Sequence, residues 1–362
     1  MELFKKITLH TARLDLRLFN ENDLSDFYEY ARVEGVGEPA GWAHHKTIEE
    51  TKNILKCFIE NKDTLAIVYK ENNKVIGSIG VTDPHTANYP NGLIGKEIGF
   101  VLSKSYWNMG IMTEAIREVI RYVLLDLKLD YIVGACSKAN NKSKRVFEKN
   151  NFKYNGDLYF NNYNSTKILS DSFILLRNDY LEKCEKIQVY DYSFNKLNTF
   201  IYRGEMIKGR ELRGVVDVVI YNEKYDKYLV TRRDRNKDVY PNMLETTGGA
   251  ITYGETEIFS AKREVEEETG ITDIKLKFLY KYYMDNTKAL YFIFYGTTKC
   301  ELDSIKLQEG ETTEYKWLDF DNYYTLWHQS EVNPNQKVRI MKALDEIKDK
   351  SIKCWQRYIG LI

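Results

Sequence analysis

Cysteine is sparse and scattered in this sequence. Cys57, Cys136, Cys184, Cys300 and Cys354 are the only five in 362 residues, and none forms a CxxC pair. An odd, dispersed set argues against a disulfide framework or a zinc ribbon and for free thiols in a reducing compartment. Net charge is also missing, since 53 Lys and Arg balance 53 Asp and Glu. Without a global field the chain has no general attraction for nucleic acid or anionic lipid. No uninterrupted apolar run approaches the roughly 20 residues of a spanning helix. Residues 1–6 lack the apolar core of a signal peptide. Internal repeats and low-complexity tracts are absent. The expectation is a cytoplasmic protein with no membrane partner.

What is present points to two folded halves. Hydrophobic residues make up 43% of the chain, enough for ordinary cores. The length suits two domains of roughly 100–200 residues each. Alternating patterns predict strands at 13–18, 64–70, 74–82, 95–103, 131–135, 152–160 and 168–177. Helical spacing predicts helices over 47–60, after Gly110 and over 141–149. Residues 178–186 are polar, and the strand–helix order restarts behind them. Strands are then expected at 214–221, 227–232 and 289–297, with helices at 257–269 and 338–349.

The most informative segment is 249–271, GAITYGETEIFSAKREVEEETGI. Glu264, Glu267 and Glu268 stand at i, i+3 and i+4, which gathers three carboxylates on one helical face. Ile258, Ala261 and Val265 form an adjoining apolar stripe. Clustered anions repel unless a countercharge intervenes, and a hard divalent ion with oxygen ligands is a natural one. On the carboxylates alone, a solvated acidic face is the commoner explanation.

The whole segment, however, resembles the Nudix box, G-x5-E-x7-R-E-U-x-E-E-x-G-U with U aliphatic. Gly249, Glu255, Arg263, Glu264, Val265, Glu267, Glu268, Gly270 and Ile271 fill every fixed position. The likeness extends over 187–350 and includes the approach 244–249, LETTGG, where Leu244 replaces a common tryptophan. The resemblance implies a magnesium or manganese ion held by Glu264, Glu267, Glu268 and the Gly248 carbonyl. Arg263 would orient the carboxylates, Glu255 would brace the turn, and Gly270 would end the helix. The implied chemistry is in-line attack of water on a diphosphate linked to a nucleoside. The general base stays open among Gln336, Glu331, Glu311 and Glu314. Arg232 and Arg233 are either substrate contacts or a solvated strand end. The cysteine and histidine of isopentenyl-diphosphate isomerases are not found before the box, nor is the upstream signature of coenzyme A diphosphatases.

In the N-terminal half, 99–115 reads GFVLSKSYWNMGIMTEA, a strand, a loop and a helix start. Backbone N–H groups at such a start form an anion site, although the same pattern serves ordinary connections. Tyr106, Trp107, Gly110, Thr113, Glu114 and Ala115 resemble the pyrophosphate loop of GNAT N-acetyltransferases, in the branch of ribosomal-protein N-terminal acetyltransferases. Residues 140–152, with Asn140, Ser143, Arg145, Val146, Glu148, Lys149 and Phe152, match a later motif of that branch, and 11–14 its opening strand. Trp107, Met112 and Asn151 depart from wider GNAT patterns. By this resemblance acetyl-CoA would lie along Phe100, Val101 and Leu102. Its diphosphate would rest on Asn108, Met109, Gly110, Ile111, Met112 and Thr113, and its pantetheine arm near Asn140 and Ser143. Glu97 is a candidate base, against the reading of an exposed strand carboxylate. His44 and His45, near Trp42, are candidates to line an acceptor pocket, against the plainer reading of solvent-exposed loop histidines.

Together the resemblances imply α/β and α+β architecture. The first part would be a GNAT fold with a mixed, mostly antiparallel sheet flanked by helices, and the second a Nudix α/β/α sandwich. Expected bounds are 1–178 and 187–362, with 179–186 as linker. The expected activities are diphosphate hydrolysis and acetyl transfer to an unidentified amine, a small molecule or a protein N-terminus. The competing reading is a Nudix hydrolase whose GNAT half only senses acetyl-CoA or a nucleotide.

Overall fold

A computed structural model describes residues 3–358 except 5, 6, 162, 163, 236 and 238, and omits the side chains of 349–358. Cys57, Cys136, Cys184 and Cys300 are free thiols, whereas the Cys354 side chain lies outside the described residues. No helix among the described residues is long and apolar enough to cross a membrane. The chain divides into two compact units, Met1–Cys184 with Gly204–Met206, and Glu185–Arg203 with Ile207–Ile362.

The first unit contains β1 (Leu9–His10), β2 (Leu14–Leu18), α1 (Leu24–Ala31), α2 (Ile48–Asn61), β3 (Thr64–Tyr69), β4 (Lys74–Thr82) and β5 (Gly95–Leu102). It continues with α3 (Ile111–Arg121), β6 (Tyr131–Ser137), α4 (Asn141–Lys149), β7 (Lys153–Asn161), β8 (Lys167–Leu176) and α5 (Arg177–Leu181). Among the described residues the sheet order is β1-β2-β3-β4-β5-β6-β8-β7. Only the β5–β6 pairing is parallel, and it covers just Gly95↔Tyr131, Lys96↔Ile132 and Glu97↔Val133. Beyond Glu97, β5 stays with β4 as far as Leu102, so the sheet opens between β5 and β6. Alternation assigns the two faces. Leu65, Ile67, Ile79 and Ile98 pack with Ile111, Ala115, Ile116, Val119 and Ile120 of α3. Ala66, Val68 and Val101 pack instead with Phe27 and Tyr30 of α1 and Leu55 of α2. Full burial of each such aliphatic side chain stabilises by roughly 1.5–3 kcal/mol.

The second unit contains β9 (Lys186–Tyr190), β10 (Lys196–Tyr202), β11 (Leu212–Asn222), β12 (Lys227–Arg233), β13 (Leu244–Glu245) and β14 (Thr247–Ala250). It continues with α6 (Glu257–Thr269), β15 (Lys275–Met284), β16 (Ala289–Thr298), β17 (Thr312–Leu318), α7 (Phe320–Leu326) and α8 (Pro334–Tyr358). β11 runs parallel to β16 and antiparallel to β14. Val216, Val218, Ile220, Leu290, Phe292 and Phe294 face Ala261 and Val265 of α6. The alternate residues Val219, Tyr291 and Ile293 face Tyr323 of α7 and Ile340, Ala343 and Leu344 of α8. The result is a sheet between helical layers.

Most expected elements are present, within a few residues of their expected bounds. α8 begins at Pro334, four residues before the expected start. Within 179–186, the expected linker, α5 runs on to Leu181 and β9 starts at Lys186. β15 shows no clean period two because Lys and Tyr side chains occupy both faces of KLKFLYKYYM. α1 is short and buries only Phe27, Tyr30 and Ala31, too few positions to declare a helical period.

Candidate active sites

In the second unit, β14 delivers the chain to α6. Thr256 caps the helix by accepting the Phe259 N–H at 3.3 Å, and Gly270 closes it with an N–H to the Glu266 carbonyl at 2.8 Å. Glu255 accepts from the Ser260 hydroxyl at 2.6 Å and from Arg263 Nε at 3.2 Å, which fixes the turn into the helix. Arg263 also donates to Glu264 and Glu267, both at 3.0 Å, and to the Ala250 carbonyl at 3.2 Å. One guanidinium therefore joins the strand end to two of the three carboxylates. Gly249 is required by close approach, because a Cβ there would stand 2.3 Å from the Glu264 carboxyl carbon.

Glu264 and Glu268 are buried, while Glu267 is exposed. Burial raises Glu264 above the usual carboxylate range, opposed by Arg263. Burial raises Glu268 further, the carboxylates of Glu245, Glu264 and Glu311 add to the rise, and a backbone N–H bond from Gly248 opposes it. Glu268 Oε2 is buried without a hydrogen-bond partner. Among the described residues no three His, Cys, Asp or Glu side chains converge as a ready-made metal cage. Arg263 supplies the countercharge in this arrangement. The donor set nevertheless fits a hard divalent ion: oxygens only, one buried and unsatisfied, facing further carboxylates.

In the first unit the opening between β5 and β6 leads to a cavity of about 370 Å³. Glu97, Phe100, Cys136, Ser143, His85 and Phe160 are among the residues that line it. Glu97 is buried rather than an exposed strand carboxylate. Its Oε2 accepts the backbone N–H groups of His85 and Thr86 at 2.8 Å and of Ala87 at 3.2 Å. Burial pushes the Cys136 thiol up to about 12, with Asp171 adding to the rise. That shift disfavours the nucleophilic thiolate. Asn140 caps α4, accepting the Ser143 N–H at 3.1 Å and donating to the Ser143 hydroxyl at 3.0 Å.

The loop behind β5 turns through Asn108 and Gly110, both at positive φ (62° and 75°), before α3 begins. Trp107 Nε1 donates to the Leu102 carbonyl at 2.7 Å, and the Lys142 ammonium lies 3.7 Å from the Trp107 ring centre. Arg13 donates to the Met109 carbonyl at 2.9 Å. The side chains of Ile111, Met112, Val101 and Leu102 are buried in the cores. Of these four residues, only the backbone is left for a ligand.

Sequence comparison identifies both halves. An uncharacterized Nudix hydrolase of Listeria innocua is 31% identical over 138 residues, which covers 36% of this chain and 78% of that protein. The chain belongs to the Nudix hydrolase family. Residues 211–339 match the NUDIX domain, and residues 13–153 match the acetyltransferase (GNAT) domain. The uncharacterized N-acetyltransferase p20 of Bacillus licheniformis is 24% identical over 154 residues, 41% of this chain and 84% of that protein. A solved GNAT-family acetyltransferase from Bacillus anthracis aligns with a TM-score of 0.42 at 23% identity, covering 48% of this chain and 99% of that one. The protein is thus a GNAT acetyltransferase domain fused to a Nudix hydrolase domain.

Several residues near the Nudix helix differ from expectation. Arg232 pairs with Glu314 at 2.7 Å and Arg233 with the buried Glu245 at 2.7 Å, so neither is a solvated strand end. Gln336 is a brace. Its amide takes the Thr246 N–H at 2.9 Å and donates to the Thr246 carbonyl at 2.9 Å and to Asp217 at 3.0 Å. Arg339 forms a buried ion pair with Asp217 beneath it. Glu314 is held below the usual range by Arg232, whereas Glu311 contributes to the field on Glu268. In the GNAT half, His45 is buried, bonds Thr51 at 2.8 Å and packs against Phe27 and Trp42. It is a core histidine and not a solvent-exposed one. His44 instead pairs with Glu38 at 2.8 Å.

Proposed function

We propose that the chain is a bifunctional enzyme. The Nudix half hydrolyses a nucleoside-diphosphate-linked substrate with magnesium or manganese. The GNAT half transfers acetyl from acetyl-CoA to an amine. The observation that carries the first part is Glu268, a buried carboxylate with an unsatisfied oxygen among the carboxylates of Glu245, Glu264 and Glu311. Glu264, Glu267, Glu268 and the Gly248 carbonyl would hold the ion. Once bound, it neutralises the diphosphate and polarises phosphorus toward water. Arg263 keeps Glu264 and Glu267 on one side of the helix. Gln336 fixes the Thr246 backbone, and with it the start of the strand that carries Gly248 and Gly249. Glu311, whose charge acts on Glu268 and whose carboxylate pairs with Lys237, is the candidate to take a proton from water.

The second part is supported by the β5–β6 opening, the Gly110 loop and the cavity at Glu97. Backbone N–H groups at the start of α3 suit a diphosphate, and the exposed edge of β5 past Glu97 suits an extended pantetheine amide chain. Phosphate release over nucleoside di- and triphosphates, sugar nucleotides, dinucleoside polyphosphates and CoA, with and without magnesium, tests the hydrolase. Turnover of none of them in magnesium would refute that part of the reading.

A further inference from the structure

Acetyl transfer needs a neutral amine, so a group at the cavity must take a proton. The inference here rests on the acetyltransferase reading above. Glu97 and His85 are the lining groups that can hold that proton, since Cys136 is already protonated. Glu97 is committed to structure: Oε2 gathers three backbone N–H groups and so ties down the turn that carries His85.

The imidazole is set up differently. His85 Nδ1 lies 2.9 Å from the Asp83 carbonyl oxygen. A carbonyl only accepts, so Nδ1 carries the hydrogen and Nε2 keeps its lone pair. Nδ1 is also 3.7 Å from Glu97 Oε2, so a positive charge on the ring would form beside a carboxylate. The Asp83 carboxylate does not compete for the ring, because Lys96 holds it at 2.6 Å. The His85 side chain is 67% exposed, which gives the proton a way out to water. Orientation by a carbonyl, a lone pair on the other ring nitrogen and an anion beside Nδ1 follow the logic of a catalytic imidazole.

We propose that His85 is the proton acceptor of the acetyl-transfer site and that Glu97 is its positioning residue. The acceptor ammonium gives a proton to Nε2. The amine nitrogen then bonds to the thioester carbonyl carbon as the C–S bond breaks. The departing CoA thiolate takes the second amine proton, and the imidazolium returns its proton to water. Acetyl-CoA and an ammonium thus become an acetamide, CoA thiol and one proton.

The test uses the full chain. Calorimetry with acetyl-CoA should give the same affinity, within about twofold, for wild type and H85A. No binding by wild type would end the acetyltransferase reading itself. CoA release is then followed with phenethylamine, a probe suited to the Phe100 and Phe160 walls. H85A should lose at least about 100-fold, the lower end for general base catalysis, and added imidazole should restore part of it. An unchanged rate, or a loss that imidazole does not relieve, would overturn the assignment. E97Q keeps an oxygen for the N–H groups but removes the anion beside the ring, so kcat should fall while acetyl-CoA affinity holds within about twofold. An unchanged kcat would remove Glu97 from the proposal. Nitrogen NMR of labelled histidine needs no acceptor, so an unsuitable probe amine does not leave the assignment untested: hydrogen on Nδ1 supports it and hydrogen on Nε2 overturns it.

Discussion

Arg13 and Glu114 meet across 101 residues of sequence, through Nε to Oε2 at 2.7 Å, while the Arg13 backbone N–H and the Thr11 hydroxyl bond Oε1 at 3.0 and 2.5 Å. These partners hold Glu114 below the usual carboxylate range against the effect of burial. The same guanidinium takes the Met109 carbonyl. The strand entrance at Thr11 and the loop at Gly110 are therefore one structural unit. E114Q keeps the shape but weakens both the ion pair and the charge-assisted bonds. We expect acetyl-CoA affinity to fall about fivefold to tenfold by calorimetry, together with a lower melting temperature at neutral pH, because a carboxyl held below its usual range contributes to folding. Undiminished affinity would mean the loop is set without this pair.

That pairing also marks a limit of sequence reading. Thr11, Arg13 and Glu114 all lie in segments that stand out by resemblance, but nothing local says that they touch. α6 was legible because its information is local: a cap, an apolar stripe at Ala261 and Val265, three acids at helical spacing and a closing glycine. The place of His45 is not legible, for the opposite reason. Its burial comes from Phe27 and Trp42, which a loop sequence does not announce. Gln336, Asp217 and Arg339 form a network spanning about one third of the chain, with partners 119 and 122 positions apart. No periodicity carries that.

Glu267 separates hydrolysis from folding. Glu264 and Glu268 are buried, but the Glu267 side chain is 46% exposed and, among the described residues, bonds to Arg263. E267Q should therefore leave thermal unfolding within about 2 °C, a surface-substitution effect of at most about 0.5 kcal/mol. Magnesium-dependent turnover should fall by at least about 100-fold, because the ion that offsets the developing anion is held less firmly. Near-wild-type turnover at saturating magnesium would remove Glu267 from the ion's ligands.

His45 should make the GNAT half sensitive to acid. Burial holds its pKa below the usual imidazole value, partly opposed by the charge of Glu50. The unfolded ring gains a proton as pH falls through about 6.5, while the folded ring still resists. The unfolded state then binds more protons, so stability drops from about pH 6.5 toward the lower folded value and levels off beneath it. Above that window His45 contributes no pH dependence. The melting temperature of the N-terminal transition should fall between pH 7.5 and 5.5, and fall less in His45→Gln. Equal falls in the two proteins would show that other groups carry the effect.

Arg339 and Asp217 supply the sharpest stability test in the Nudix half. Their side chains are 3% and 2% exposed, and the guanidinium also lies 3.8 Å from the Tyr291 ring centre. Removing the arginine alone leaves a carboxylate in the core that, among the described residues, keeps the Gln336 amide at 3.0 Å as its side-chain partner. Breaking such a pair costs about 3–5 kcal/mol, whereas replacing both members by apolar groups is often close to neutral. R339M should therefore shift urea unfolding strongly, and R339M with D217L should recover much of the loss. The recovery has a functional limit. Asp217 and Gln336 together hold the Thr246 backbone ahead of Gly248, so the double variant should fold yet lose more turnover than stability. A double variant as unstable as R339M would mean that Asp217 is held by its other bonds and not by its charge partner.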